Sequence, residues 1–190
     1  MVVFLTSGEL GLKHLSREQA WKVRESEAEA AAAVLGVAQM AFLRQPDWYL
    51  GDGVEKAAAS LRPVLEKESP NRIYLTHALE WHPDHQASLP IVQAALRNCP
   101  IPAPTLLTYE VWTPLSAYDD GVDITTVMRQ KLQAVRCYRS QTEQLEYDRG
   151  VQGLNRFRGA IAWKCPYAEI FQHVVPCQPE AARMADKAAK

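Results

Sequence analysis

The sequence predicts an α/β protein of three layers built on a mostly parallel sheet. Three observations carry that expectation. Short β-branched and aromatic runs recur along the chain. Segments with apolar residues every three or four positions lie between them, and these are long enough to return one strand parallel to the last.

VVFLT at residues 2 to 6 is a compact apolar run closed by Ser7-Gly8, which reads as a buried strand and a turn. Ser16 and Gln19 have capping-box spacing, and the alanine-rich segment after them ends at Gly36, so a helix is predicted over 17–35. MAFLR at 40–44 is a second strand. In VEKAAASLRPVLEK, Val54, Ala57, Ala58, Leu61 and Leu65 keep helical spacing, and Pro63 is expected to kink or split the helix. RIYLTH at 72–77 gives a third strand, LPIVQAALRN a helix with Pro90 near its first turn, and TLLTYEVW at 105–112 a fourth strand. Helices follow over 125–139 and 144–160, and YAEIFQHV at 167–174 reads as a last, edge strand. Residues 1–178 are expected to form one domain, with 179–190 as a frayed tail.

Hydrophobic residues make up 47% of the 190-residue chain and charged residues 23%, the balance of a globular protein. The net charge of −1 and the lack of a basic run argue against nucleic acid as a partner. No window approaches the roughly 20 apolar residues of a membrane span. Cys99, Cys137, Cys165 and Cys177 form no C-x-x-C pair and no leader precedes them, so reduced thiols in the cytoplasm are expected. A homo-oligomer is allowed but not required.

In α/β folds ligands bind beyond the carboxyl ends of the strands, and WHPDHQ at 81–86 follows the third strand closely. Neutral imidazoles are good zinc ligands, but a catalytic zinc takes three protein ligands, so His82 and His85 do not make a site alone. The same six residues also suit a loop-to-helix turn with Asp84 as N-cap, and H-x-x-H by itself is a loose pattern.

A longer ordered set of motifs narrows the choice. FLTSGELG, the helix with Arg24 and Glu27, FLRQPDWYL with Asp47, HPDH at 82–85, YEVW at 109–112, VDIT at 122–125, Lys131, Ser140-Gln141 and YAEIF at 167–171 together resemble the PIG-L/LmbE-like deacetylases. These are zinc-dependent hydrolases that remove an acetyl group from N-acetylglucosamine units and related N-acyl amines. The resemblance implies a Rossmann-like fold, Zn2+ as cofactor and a small amino-sugar substrate. It makes His85 a metal ligand and His82 the imidazole that stabilises the tetrahedral intermediate or protonates the leaving amine. Asp84 becomes the orienting partner of His82, and Arg24 and Asp47 become sugar contacts.

Each residue also has a plainer reading. Arg24 and Glu27, three apart on a helix, make a surface ion pair. Tyr109 and Trp112 belong to the core of a strand, Asp123 caps a helix, and Ser140-Gln141 end one.

The sequence departs from the family at its start. The family's first strand ends in His-Pro-Asp-Asp-Glu, which supplies two zinc ligands and the general base, and this sequence has no such stretch. The expected fold therefore lacks that strand, and the chain as written is expected to bind metal weakly and to be weakly active or inactive. Glu9, His14, Asp47 and His77 are candidate replacement ligands near strand ends. A non-catalytic sugar- or partner-binding module is the alternative function. A dinucleotide-binding protein ranks last, because Gly8 and Gly11 fit a G-x-G-x-x-G turn badly.

Overall fold

Residues 1–97 and 99–174 are described by a computed structural model; the expected tail and Cys177 lie outside them. The strands are β1 (Val2–Phe4), β2 (Met40–Phe42), β3 (Arg72–Thr76), β4 (Thr105–Tyr109), β5 (Asp120–Asp123) and β6 (Ala168–Val174). The helices are α1 (Arg17–Leu35), α2 (Val54–Glu68), α3 (Pro83–Leu96), α4 (Met128–Arg136), α5 (Arg139–Thr142) and α6 (Tyr147–Arg158).

Local chemistry sets most of the boundaries. Ser16 Oγ accepts from the Gln19 amide at 3.3 Å, and the Gln19 side chain accepts from the Ser16 amide at 3.0 Å, which starts α1. Gly36, at φ 71°, ends it. Contrary to expectation, Pro63 does not split α2. Pro63 and Ala59, whose carbonyl loses its intrahelical donor, are both exposed, while Ala57, Ala58, Leu61 and Leu65 hold the opposite face in the core.

β1 and β2 pair in parallel as a sheet of their own, and β3, β4, β6 and β5 form a second sheet in that order. β3 and β4 run parallel, whereas β6 is antiparallel to both its neighbours. The last strand is therefore interior rather than at the edge. The strand that covers it, β5, carries no sequence signal of its own, because Asp120-Gly121-Val122-Asp123 has little β preference and is held by its pairing with β6.

Both sheets rest on one helical layer. Val3, Leu5 and Leu43 pack on the same α2–α3 cluster as Ile73, Leu75 and Leu106. Strand alternation turns Tyr74 to the opposite face, where it meets Phe171 edge-on at 5.3 Å and shares a cavity with Val151 and Leu154 of α6. At the end of α6, Arg158 donates to Glu110 through Nε (2.9 Å) and Nη2 (2.7 Å), tying the helix to the chain leaving β4. Among the described residues, no helix is long and apolar enough to cross a membrane.

Candidate active site

The carboxyl ends of β1, β2, β3 and β4 carry the segments that surround one cleft of about 460 Å³. Arg24, Asp47, His82, Asp84 and His85 all line it. Its size is that of a small-ligand site.

After β1 the chain turns at Gly8, at φ 66°, where a Cβ would lie 3.1 Å from Arg24 Nε. Glycine thus lets the guanidinium lie against the backbone. Arg24 Nη1 donates to Glu27 Oε2 at 3.3 Å and to Ser140 Oγ at 3.1 Å, and Glu27 also accepts from the Ser140 amide and hydroxyl. The Arg24 and Glu27 side chains are only 13% and 12% exposed, so this is not a surface pair. Ser140 clamps them from α5 rather than merely ending a helix. Arg24 Nε is buried with no partner among the described residues.

The segment after β2 brings in Asp47, whose Oδ2 accepts from the Leu10 amide at 2.9 Å. Burial, with Asp84 nearby, pushes its carboxyl above the usual range despite that amide. Such a group stabilises the fold while it keeps its proton. That contribution is fully present below about pH 4, the ordinary carboxylate range, and is lost as pH rises through the raised folded-state value. Asp47→Asn, which still accepts from Leu10, is expected to flatten the fall in melting temperature above about pH 4. An unchanged slope in the variant would remove Asp47 as its source.

Trp48 follows in the left-handed region at φ 70°, an outlying conformation for a bulky residue. Asp84 holds it there: its carboxylate accepts from the Trp48 amide at 2.7 Å and the Leu50 amide at 3.2 Å. Among the described residues the Asp84 carboxylate bonds to these amides, and no hydrogen bond joins it to the His82 ring. Nor is Asp84 the N-cap. His82 caps α3, its Nδ1 accepting from the Asp84 amide at 3.2 Å, and Pro83 opens the helix. Pro90 accordingly sits inside α3 rather than in its first turn.

The two imidazoles stand side by side, with ring centroids 5.0 Å apart, but with different partners. Since His82 Nδ1 is an acceptor, its proton sits on Nε2. His85 Nδ1 instead faces Glu80 Oε2 at 3.4 Å. Burial, then the neighbouring His82, holds the His85 imidazole below its ordinary pKa.

Zinc, which the resemblance implies, finds no complete site in the described part of the chain. Among the described residues no group of three His, Cys, Asp or Glu side chains could hold a metal ion. His77 is buried, its Nε2 bonded to the Thr113 carbonyl at 2.7 Å and its Nδ1 to the Leu79 amide. His14 is exposed and away from the cleft. Glu9 accepts from the Asp47 amide and pairs with Arg17.

An aromatic arc completes the wall; its tryptophans lie inside the sequence motifs, but none is expected there as part of a cleft wall. Trp48 lies 4.5 Å from the His82 ring and 6.2 Å from Trp81, Trp81 lies 5.9 Å from Trp112, and Trp112 lies 5.3 Å from Tyr147. Trp112, expected in the core, is 40% exposed, whereas Tyr109 is half-buried and its desolvation raises the phenol pKa. The available signal is adjacency: Trp48 follows Asp47, and Trp81 precedes His82.

Comparison with known proteins matches residues 1–96 to the PIG-L family model, described as GlcNAc-PI de-N-acetylase. Among curated proteins nothing matches. The conserved protein TT1542 from Thermus thermophilus is 27% identical, with a TM-score of 0.76 over 93% of this chain and 82% of that one. N,N'-diacetylchitobiose deacetylase from Pyrococcus horikoshii is 24% identical, with a TM-score of 0.78 over 92% of this chain and 72% of its own. GalB, the 4-carboxy-2-hydroxymuconate hydratase of Pseudomonas putida, is 23% identical, with a TM-score of 0.67 over 93% and 84%. A deacetylase and a hydratase on one fold show that the fold alone does not choose the reaction.

Proposed function

Since the chain belongs to the PIG-L family of N-deacetylases, we propose that its cleft binds an N-acetylglucosamine-type or related N-acyl amine substrate and serves hydrolysis of the acyl group. The observation that carries this reading is the convergence of Arg24, Asp47 and both imidazoles on one cleft walled by Trp48, Trp81 and Trp112. Flat aromatic faces cover the C–H faces of a pyranose, while the guanidinium and carboxyl take hydroxyl or phosphate groups.

The residues divide the work. His82 Nε2–H donates to the oxygen that gains charge when an amide carbonyl is attacked, or to the departing amine. Asp84 positions the wall by holding Trp48, and Arg24 and Asp47 orient the sugar. Zinc would supply a polarised carbonyl and an activated water, and His85 Nε2 is the nitrogen that would meet it. The described donors do not complete such a site, so no step is assigned to the metal. We place the protein in the cytoplasm as part of the same proposal.

A second reading rests on that incomplete donor set: a sugar-binding relative without turnover. Titration with methyl N-acetylglucosaminide, and acetate release measured with and without added zinc, separate the two. Saturable binding with acetate release supports the hydrolase, and binding without release supports the binding module. Absence of both would defeat the assignment of the cleft. Trp48→Ala is expected to weaken binding about tenfold, near 1.4 kcal/mol, and an unchanged titration would take Trp48 out of the ligand's wall.

A further inference from the structure

Glu80 belongs to none of the sequence motifs, yet its side chain is wholly buried beside the cleft. Everything facing its two oxygens is a donor. Oε1 accepts from the Val111, Trp112 and Thr113 amides at 2.7, 3.1 and 3.3 Å. Oε2 accepts from the Trp112 amide at 3.1 Å and faces His85 Nδ1 at 3.4 Å. His77 Nε2 lies 3.3 Å from Oε1 and donates to the Thr113 carbonyl of the same loop.

We propose that Glu80 is a positioning residue that sets two walls of the cleft together: it holds His85 with its proton on Nδ1, so that Nε2 faces the ligand, and it gathers the loop that carries Trp112. The inference rests on the reading that His85 Nε2 is presented to the substrate side. A carboxylate is acceptor-only, so an imidazole nitrogen turned toward it must be the protonated one. A carboxylate behind a histidine also raises the basicity of the far nitrogen. No other described side chain bonds to His85 Nδ1, whereas the 111–113 amides need a buried acceptor whatever His85 does. Geometry therefore makes one carboxylate answer to both demands.

Glutamine at this position separates them. Its single oxygen stays with the three loop amides, and its NH2 group turns to His85. Nδ1 must then accept, and the proton moves to Nε2.

The test is a long-range proton–nitrogen correlation spectrum of the imidazoles in the full chain at about pH 8, above the ordinary histidine pKa. In the wild type, His85 Nε2 is expected in the pyridine-like range and Nδ1 in the pyrrole-like range. In Glu80→Gln the two are expected to exchange, while Trp112→Ala, which disturbs the loop wall but leaves Glu80, keeps the wild-type pattern. A wild-type His85 protonated on Nε2 overturns the proposal without any variant, so a poorly folding Glu80→Gln does not shelter it. A folded Glu80→Gln that keeps the Nδ1 proton overturns it equally. None of these readouts depends on hydrolysis, so loss of the deacetylase reading and loss of this one are told apart.

Discussion

Replacing Arg158 by methionine is expected to destabilise the protein by about 3–5 kcal/mol, the cost of leaving one member of a buried ion pair alone. The side chains of Arg158 and Glu110 are 10% and 6% exposed. The guanidinium makes two bonds to the carboxylate and a third, at 2.7 Å, to the Leu115 carbonyl. Without it, Glu110 keeps only the Leu115 amide. The expected loss belongs to the broken pair and not to the pair's net worth. Arg158→Met combined with Glu110→Leu should therefore be more stable than Arg158→Met alone, since removing both charges also removes their desolvation. Chemical denaturation of the three proteins decides it. A loss under about 1 kcal/mol for the single change would place the pair in an effectively wet environment.

Asp84→Ala is expected to cost about 2–5 kcal/mol, because it leaves the Trp48 and Leu50 amides without their acceptor, at roughly 1–3 kcal/mol each. Trp48 should respond beyond the loss of stability. Its left-handed backbone is held by the Asp84 bond, and its ring rests on His82. Without the bond, the residue is expected to relax to ordinary φ and leave the cleft wall. Asp84→Asn keeps one acceptor oxygen and should lose less. Denaturation and the emission of Trp48, isolated by replacing the other tryptophans, are the measurements. A destabilised variant with unchanged Trp48 emission would show that Asp84 holds Leu50 and α3 but not the wall.

The fold is legible in the sequence wherever local chemistry decides it. The capping box at Ser16, Gly36 and the apolar strand runs each act within a few residues, and β1, α1 and β3 fall close to their expected places. What escapes depends on distant partners. β5 exists because β6 pairs with it, and α3 starts at Pro83 because the His82 side chain caps it, a role histidine seldom advertises. The cleft is half legible. The motifs bring all five expected residues to one place, but the roles of Asp84, Glu80 and the aromatic arc are set by neighbours about 30 positions away, across elements whose packing no spacing reveals.

The separation of the strands into two sheets gives the cleft an uneven floor. Phe4 and Phe42, stacked at 4.9 Å, belong to strands of three residues each, while His82 and His85 stand at the start of α3, the helix that follows β3 of the larger sheet. Short pairs with few backbone bonds open more readily than long ones, so β1 and β2 should exchange their amide hydrogens as a unit distinct from β3 and β4. A ligand lying across the cleft touches both units and acts as a strut between them. Its occupancy would register as slowed exchange in β1 and β2, on the side of the molecule that carries neither histidine.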